Sequence, residues 1–155
     1  MKIDCASGAG IICYFDNRKR ILENFNKEII YLVLENFDGS YDFTKGAIEL
    51  EEENNTLQCA LRETYEESGL KCSKNFLLHG SLNKTFSEGL SMFIGEYVLD
   101  FEDLHSKTDL SKNIVILPNN GIIEHKGFVW ETYERGRKNL PDYLKDVIDW
   151  AKNNI

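Results

Sequence analysis

Glu63, Glu66 and Glu67 are spaced i, i+3 and i+4. On a helix that spacing places three carboxylates side by side on one face. Like charges so arranged repel by about 0.2–0.5 kcal/mol per pair when exposed, so a binding partner is one way to offset the repulsion. The chemistry open to them is that of hard oxygen donors, since Mg2+ is held by a few carboxylates together with waters and substrate phosphates. The competing reading is a solvated acidic helix face.

The elements that must position these acids are legible around them. Between positions 55 and 69 the apolar pattern takes a helical period, with Leu57, Ala60, Leu61, Thr64 and Ser68 on one side. This predicts a helix over 56–69 that packs one side on a sheet and turns its acids to a cleft. Asn54, Asn55 or Thr56 can cap its start, and Gly69 suits its end. Runs rich in β-branched and aromatic residues predict strands at 10–15, 28–35, 41–44, 76–82, 90–99, 113–117 and 127–130, with a turn at 36–40. Near the end, Pro141 suits a first helical turn, and Leu144, Val147, Ile148 and Ala151 form a core-facing stripe. The order of elements predicts an α/β or α+β sandwich in which helices cover a mixed sheet. Without an internal repeat or a linker, residues 1–155 read as a single domain.

Charge narrows the partners. The chain has 26 Asp+Glu against 18 Lys+Arg, a formal net charge of -8. That disfavours a duplex-DNA binder with a broad basic face and an anionic membrane surface as partner, and no long nucleic acid is expected. It leaves room for a small anionic substrate reached through a divalent cation. Apolar runs such as 29–34 fall far short of the roughly 18 residues that suggest a membrane span. Cys5, Cys13, Cys59 and Cys72 form no CxxC pair and have no histidine at zinc-finger spacing. The first residues lack the apolar run of a secretion signal, so reduced thiols in a cytoplasmic protein are expected, with Cys13 and Cys59 in the core.

The stretch Arg62-Glu63-Thr64-Tyr65-Glu66-Glu67-Ser68-Gly69-Leu70, preceded by Lys45-Gly46-Ala47-Ile48-Glu49, resembles the Nudix box of the Nudix hydrolases, G-x5-E-x7-R-E-U-x-E-E-x-G-U with U apolar. Thr64 stands at an aliphatic position. Gly46 and Arg62 are two residues farther apart than in the pattern, so counting forward puts the first box glutamate at Glu52 and counting backward at Asn54. Either Glu52 or Glu53 could take its role of bracing the box arginine. The resemblance implies an α/β/α sandwich and a pyrophosphohydrolase dependent on Mg2+ or Mn2+. Glu63, Glu66 and Glu67 would hold the metal with the backbone carbonyl of Gly46, while Arg62 would orient the carboxylates. Water activated by metal would attack phosphorus. The family often uses a further glutamate from outside the box, for which Glu124 is the candidate.

Residues 41–49 and Glu124-His125-Lys126-Gly127-Phe128-Val129-Trp130 are similar to the asymmetrical diadenosine tetraphosphate hydrolases, with Thr44 in place of a usual proline. This implies cleavage of diadenosine tetraphosphate to ATP and AMP. RNA 5′-pyrophosphohydrolase activity, cleavage of other nucleoside diphosphate derivatives, and a non-catalytic nucleotide-binding module are the alternatives. A dinucleoside polyphosphate needs cationic handles and aromatic faces. Lys45 and Lys84 are candidates for the first, and Tyr41, Phe43, Phe86 and Phe128 for the second. His125 is a candidate substrate-binding or supporting group. A small nucleotide is the expected partner, and the chain is expected to act as a monomer.

Overall fold

The computed structural model describes residues 7–18, 27–68, 76–86, 89–97 and 125–155. Its centre is β1 (Gly8–Asp16), buried along nearly its whole length. One edge of β1 pairs in parallel with β6 (Leu90–Tyr97). Two strands share the other edge, both antiparallel to β1: β4 (Thr44–Ala47) takes Gly8 to Ile11 and β2 (Ile29–Glu35) takes Tyr14 to Asp16. That sharing needs Gly10, because a Cβ there would overlap the Thr44 carbonyl and Lys45. The short β3 (Tyr41–Asp42) and β7 (Gly127–Thr132) flank β2, and β5 (Phe76–Thr85) lies beyond β6. The order β3-β2-β1-β6-β5, with β4 on β1 and β7 on β2, makes a mixed sheet.

Alternation along the strands divides the core into two layers. Ala9, Ile11, Cys13, Phe15, Leu32, Leu34, Phe93 and Trp130 pack with Cys59 and Ala60 of α1 (Thr56–Ser68). Ile12, Tyr14, Tyr31, Val33, Met92 and Ile94 pack on the opposite side with Leu144, Val147, Ile148 and Ala151 of α3 (Asp142–Asn154). The result is the α/β/α sandwich that the resemblance implied. Each fully buried Leu, Ile or Val stabilises by about 1.5–3 kcal/mol, so the α3 stripe docks that helix by apolar burial. The buried side chains of α1 are smaller and include Thr64 and Ser68, so polar contacts carry more of its docking.

Four points differ from these expectations. The strand at 41–44 divides at Phe43 into β3 and β4, which pair with different neighbours. The strand at 76–82 runs on to Thr85 across a register irregularity between Leu78 and Asn83. A helix that the apolar pattern does not predict, α2 (Tyr133–Asn139), follows β7 directly, its start capped by Thr132 Oγ1 accepting from the Arg135 amide at 3.3 Å. Pro141 is accordingly the N-cap of α3 rather than a first-turn residue. Cys13 and Cys59 are buried free thiols. Cys5, Gly69, Cys72 and the strand expected at 113–117 lie outside the described residues. Among the described residues no helix is long and apolar enough to cross a membrane.

Candidate active site

Helix α1 lies against β4, and their contact is made at a glycine. A Cβ built on Gly46 would overlap the Glu63 carboxylate, so the site exists because position 46 has no side chain. Cys59, one turn earlier on α1, places its Sγ 3.5 Å from the Ala47 carbonyl and 3.6 Å from that of Gly46. Thr64 faces the same strand. Its hydroxyl is 2.9 Å from Thr44 Oγ1, which itself donates to the Ile11 carbonyl at 3.0 Å. A hydroxyl has one proton, so Thr64 is the donor to Thr44. Thr44 and Thr64 therefore satisfy each other in the core.

Arg62 is the hub of the acidic cluster. Its guanidinium meets Glu52 through two bonds, Nε to Oε2 at 2.8 Å and Nη2 to Oε1 at 3.0 Å. It also donates to Glu63 at 2.8 Å, to Glu66 at 3.2 Å and to the Ala47 carbonyl at 3.0 Å. Glu49 is 3.0 Å from Nε. Of the two loop glutamates, Glu52 is thus the one that braces the arginine. The loop forms a short 3₁₀ turn, Leu50–Glu52, in which Glu52 also accepts from the Glu49 amide and is buried, whereas Glu53 is exposed. Contact with Arg62 holds the Glu52 carboxyl below its ordinary range, and Arg62 in turn is pushed up by Glu52.

The two acids one turn apart, Glu63 and Glu67, feel the opposite field. Burial first, then the charge of Glu67, pushes Glu63 up to about 7 despite Arg62. Burial likewise raises Glu67, against the lowering effect of His125 and the Lys45 amide. Glu67 Oε1 accepts from the Lys45 backbone N–H at 2.8 Å, and Oε2 is 2.7 Å from His125 Nε2. The other ring nitrogen of His125 is 2.9 Å from Asn36 Oδ1, and Asn36 Nδ2 donates to Ser40 Oγ.

Among the described residues, no three His, Cys, Asp or Glu side chains converge as a ready-made metal cage. A Mg2+ site does not demand one, because this ion is usually bound by one or two carboxylates plus waters and phosphate oxygens. Glu63 and Glu67 suit that role chemically: hard donors, one helical turn apart, whose anionic forms lack full compensation in the protein.

The structure separates the other candidates. Lys45, Gly10, Met92 and Lys84 stand in one row across four strands, which puts their side chains on the α3 face. The Lys45 ammonium is 3.3 Å from Asp42 and 5.7 Å from the centre of the Tyr143 ring, and Lys84 lies over Phe86 at 5.2 Å. Neither side chain faces the α1 acids; what Lys45 gives Glu67 is its main chain. The aromatic candidates are corrected more sharply. Phe43 is fully buried, Phe128 and Tyr41 are nearly so, and the Tyr41 hydroxyl donates to Glu131 at 2.9 Å. Their rings fill the core and offer no open face for a base. Glu124 lies outside the described residues. Asn36 joins the site without any signal in the sequence, because a polar residue opening a turn carries no sign of what it will face.

No family model matches this chain, and no curated protein matches its sequence. Its structure is similar to that of a C. elegans Ap4A hydrolase in a binary complex, with a TM-score of 0.63 and 16% identity over 94% of this chain and 96% of that one. A second structure of C. elegans Ap4A hydrolase gives 0.61 and 15% over 96% and 97%. The NUDIX domain of Shewanella oneidensis NrtR, complexed with ADP ribose, gives 0.58 and 10% over 99% and 90%. At these identities the likeness establishes the fold.

Proposed function

We propose that the chain, built on the Nudix fold, is a divalent-metal-dependent pyrophosphohydrolase that cleaves diadenosine tetraphosphate to ATP and AMP. The observation that carries the reading is the seating of Glu63 against Gly46, with Glu67 one turn on and Arg62 braced by Glu52. That seating supports reading the box-like sequence as a metal-holding helix. Glu63 and Glu67, with Glu66 and the Gly46 carbonyl, would hold a divalent cation, which would supply neutralisation of the pyrophosphate and activation of water.

The chain's own residues do the rest. Arg62 holds Glu63 and Glu66 in place through a guanidinium that Glu52 and Glu49 keep charged and oriented. Glu67 is fixed at both oxygens, by the Lys45 amide and by His125. Gly46 keeps the approach to Glu63 free of side chain. The likeness to structures of an Ap4A hydrolase supports the substrate, as does the similarity of residues 41–49 and 124–130 to that subgroup.

One observation favours a second reading, a shorter nucleoside diphosphate derivative. Lys45 and Lys84, the cationic handles expected for a long polyphosphate, lie on the other face of the sheet. Purified protein with Mg2+ and a panel of dinucleoside polyphosphates, nucleoside diphosphate sugars and 5′-triphosphorylated RNA, with products separated by chromatography, decides between them. ATP and AMP in equal amounts from diadenosine tetraphosphate is the expected result. ADP alone refutes the asymmetrical cleavage, preferred turnover of a diphosphate sugar supports the second reading, and no turnover in the panel refutes the enzyme.

A further inference from the structure

We propose that His125 and Asn36 form a positioning relay that fixes the Glu67 carboxylate for cation binding, so that the β2–β3 turn is part of the metal site. The proposal rests on the reading of Glu67 as a cation ligand.

A carboxylate with only 9% of its side chain exposed must have its lone pairs satisfied. Each Glu67 oxygen has two lone pairs and accepts one described bond, from Lys45 N–H at Oε1 and from His125 at Oε2. Two partners on opposite oxygens fix the plane of the carboxylate and, among the described residues, leave one lone pair on each oxygen for a cation. The Lys45 contact comes from the backbone of a strand and cannot swing. The His125 contact comes from a ring that must itself be held.

Asn36 does that holding. Its Nδ2 is committed to Ser40 Oγ at 3.0 Å, so its Oδ1 faces His125 Nδ1 at 2.9 Å and accepts from it; with Nε2–H given to Glu67, the ring donates from both nitrogens and pairs with Glu67 as an imidazolium. Its own backbone is pinned by two turn bonds, Asn36 N–H to the Ser40 carbonyl at 2.8 Å and Gly39 N–H to the Asn36 carbonyl at 3.0 Å. Lys126 N–H donates to the Glu35 carbonyl at 2.8 Å, which ties the segment bearing His125 to the same strand end. The path from Ser40 through Asn36 and His125 to Glu67 is thus continuous, and both ends rest on the sheet. This differs from a substrate-binding role for His125, because both of its ring nitrogens are directed at protein groups. Hydrogen-bonded partners of metal ligands typically contribute 10–100-fold to metal affinity or activity.

The test is Mn2+ binding measured by electron paramagnetic resonance of the free ion, without substrate, on the full chain with folding checked by circular dichroism. His125→Ala is expected to weaken binding 10–100-fold. Asn36→Leu is expected to weaken it by a smaller factor, and the His125→Ala/Asn36→Leu pair by no more than His125→Ala alone, since Asn36 acts through the ring. His125→Gln places an amide donor near the Nε2 position. It is expected to recover most of the affinity and to be insensitive to Asn36→Leu.

Additive losses in the double variant would overturn the relay, as would a His125→Ala protein that binds Mn2+ like wild type but shows a raised KM, the signature of direct substrate contact. Wild-type protein that binds no Mn2+ overturns the underlying metal reading as well. If His125→Ala does not fold, Asn36→Leu, at a half-buried turn position, is sufficient alone: unchanged Mn2+ affinity rejects the relay, and weakened affinity supports it.

Discussion

Replacing Gly46 with alanine probes the site through empty space. Gly46 does not have the positive φ that excludes side chains, and the nearest obstacle the new methyl meets is the Glu63 carboxylate. That carboxylate ends a flexible side chain and will move aside. Moving breaks its hydrogen bond from Arg62 at 2.8 Å, a contact of charged groups worth about 1.5–3 kcal/mol. Alanine in place of glycine within a strand returns about 0.5–1 kcal/mol. The net cost is about 0.5–2.5 kcal/mol, which for a domain of this size lowers Tm by roughly 1–10 °C. The fold survives while a cation ligand is expelled. Mn2+ affinity should then fall by about 100-fold or more, since loss of a supporting neighbour alone costs 10–100-fold. Thermal unfolding and Mn2+ titration on the same sample separate the two effects. A Gly46→Ala protein with wild-type Mn2+ affinity and turnover would refute the placement of Glu63.

Three further outcomes follow from the same contacts. Glu52→Gln removes the charge that Arg62 engages through two bonds and should cost about 1–3 kcal/mol in urea unfolding, whereas Glu53→Gln should stay within about 0.5 kcal/mol. Thr64→Val deletes the proton given to Thr44 in the core and should cost about 1–2 kcal/mol, a Tm loss of roughly 2–8 °C, with little change in Mn2+ affinity. Glu63 titrates near 7 in the fold against 4.5 ordinarily, so between those values the folded state binds more protons than the unfolded one. Its contribution to metal-free stability is therefore full below about 4.5 and is lost as pH rises towards 7. Bound Mg2+ should reverse that trend by displacing the proton, and calorimetry in buffers of different ionisation enthalpy near pH 6 should show proton release on binding.

Much of this site was legible because its signals are local. The i, i+3, i+4 spacing of Glu63, Glu66 and Glu67 needs only a helix, and the stripe of Leu57, Ala60, Leu61, Thr64 and Ser68 supplies one. The β-branched runs of β1 and β2 likewise declare themselves. What escaped depends on which face a residue meets after the chain has folded. Lys45 lies beside the glycine of the site in sequence, yet strand alternation turns its side chain towards the α3 layer, with its ammonium near the Tyr143 ring and paired to Asp42. Tyr41 and Phe43 are candidate base platforms in the sequence, but β3 and β4 draw them into the α3 layer. Asn36 and His125 are 89 positions apart and meet only because β2 and β7 pair in antiparallel register up to Glu35 and Gly127. Composition carries no record of such pairing. It does explain the net charge of -8 in part, since Glu49, Glu52, Glu63, Glu66 and Glu67 converge on Arg62 and His125.

If these acids form a metal-dependent hydrolytic centre, the Mg2+-dependent rate of Glu67→Gln beside wild type, with diadenosine tetraphosphate as substrate, will show it most plainly. The exchange keeps the size of the side chain and removes the anion. Wild type should release ATP and AMP only with the metal present, and the variant, folded to a similar Tm, should be slower by roughly two to four orders of magnitude. Equal rates for the two proteins, or a wild-type rate indifferent to chelation of the metal, would contradict a metal centre built on Glu63 and Glu67.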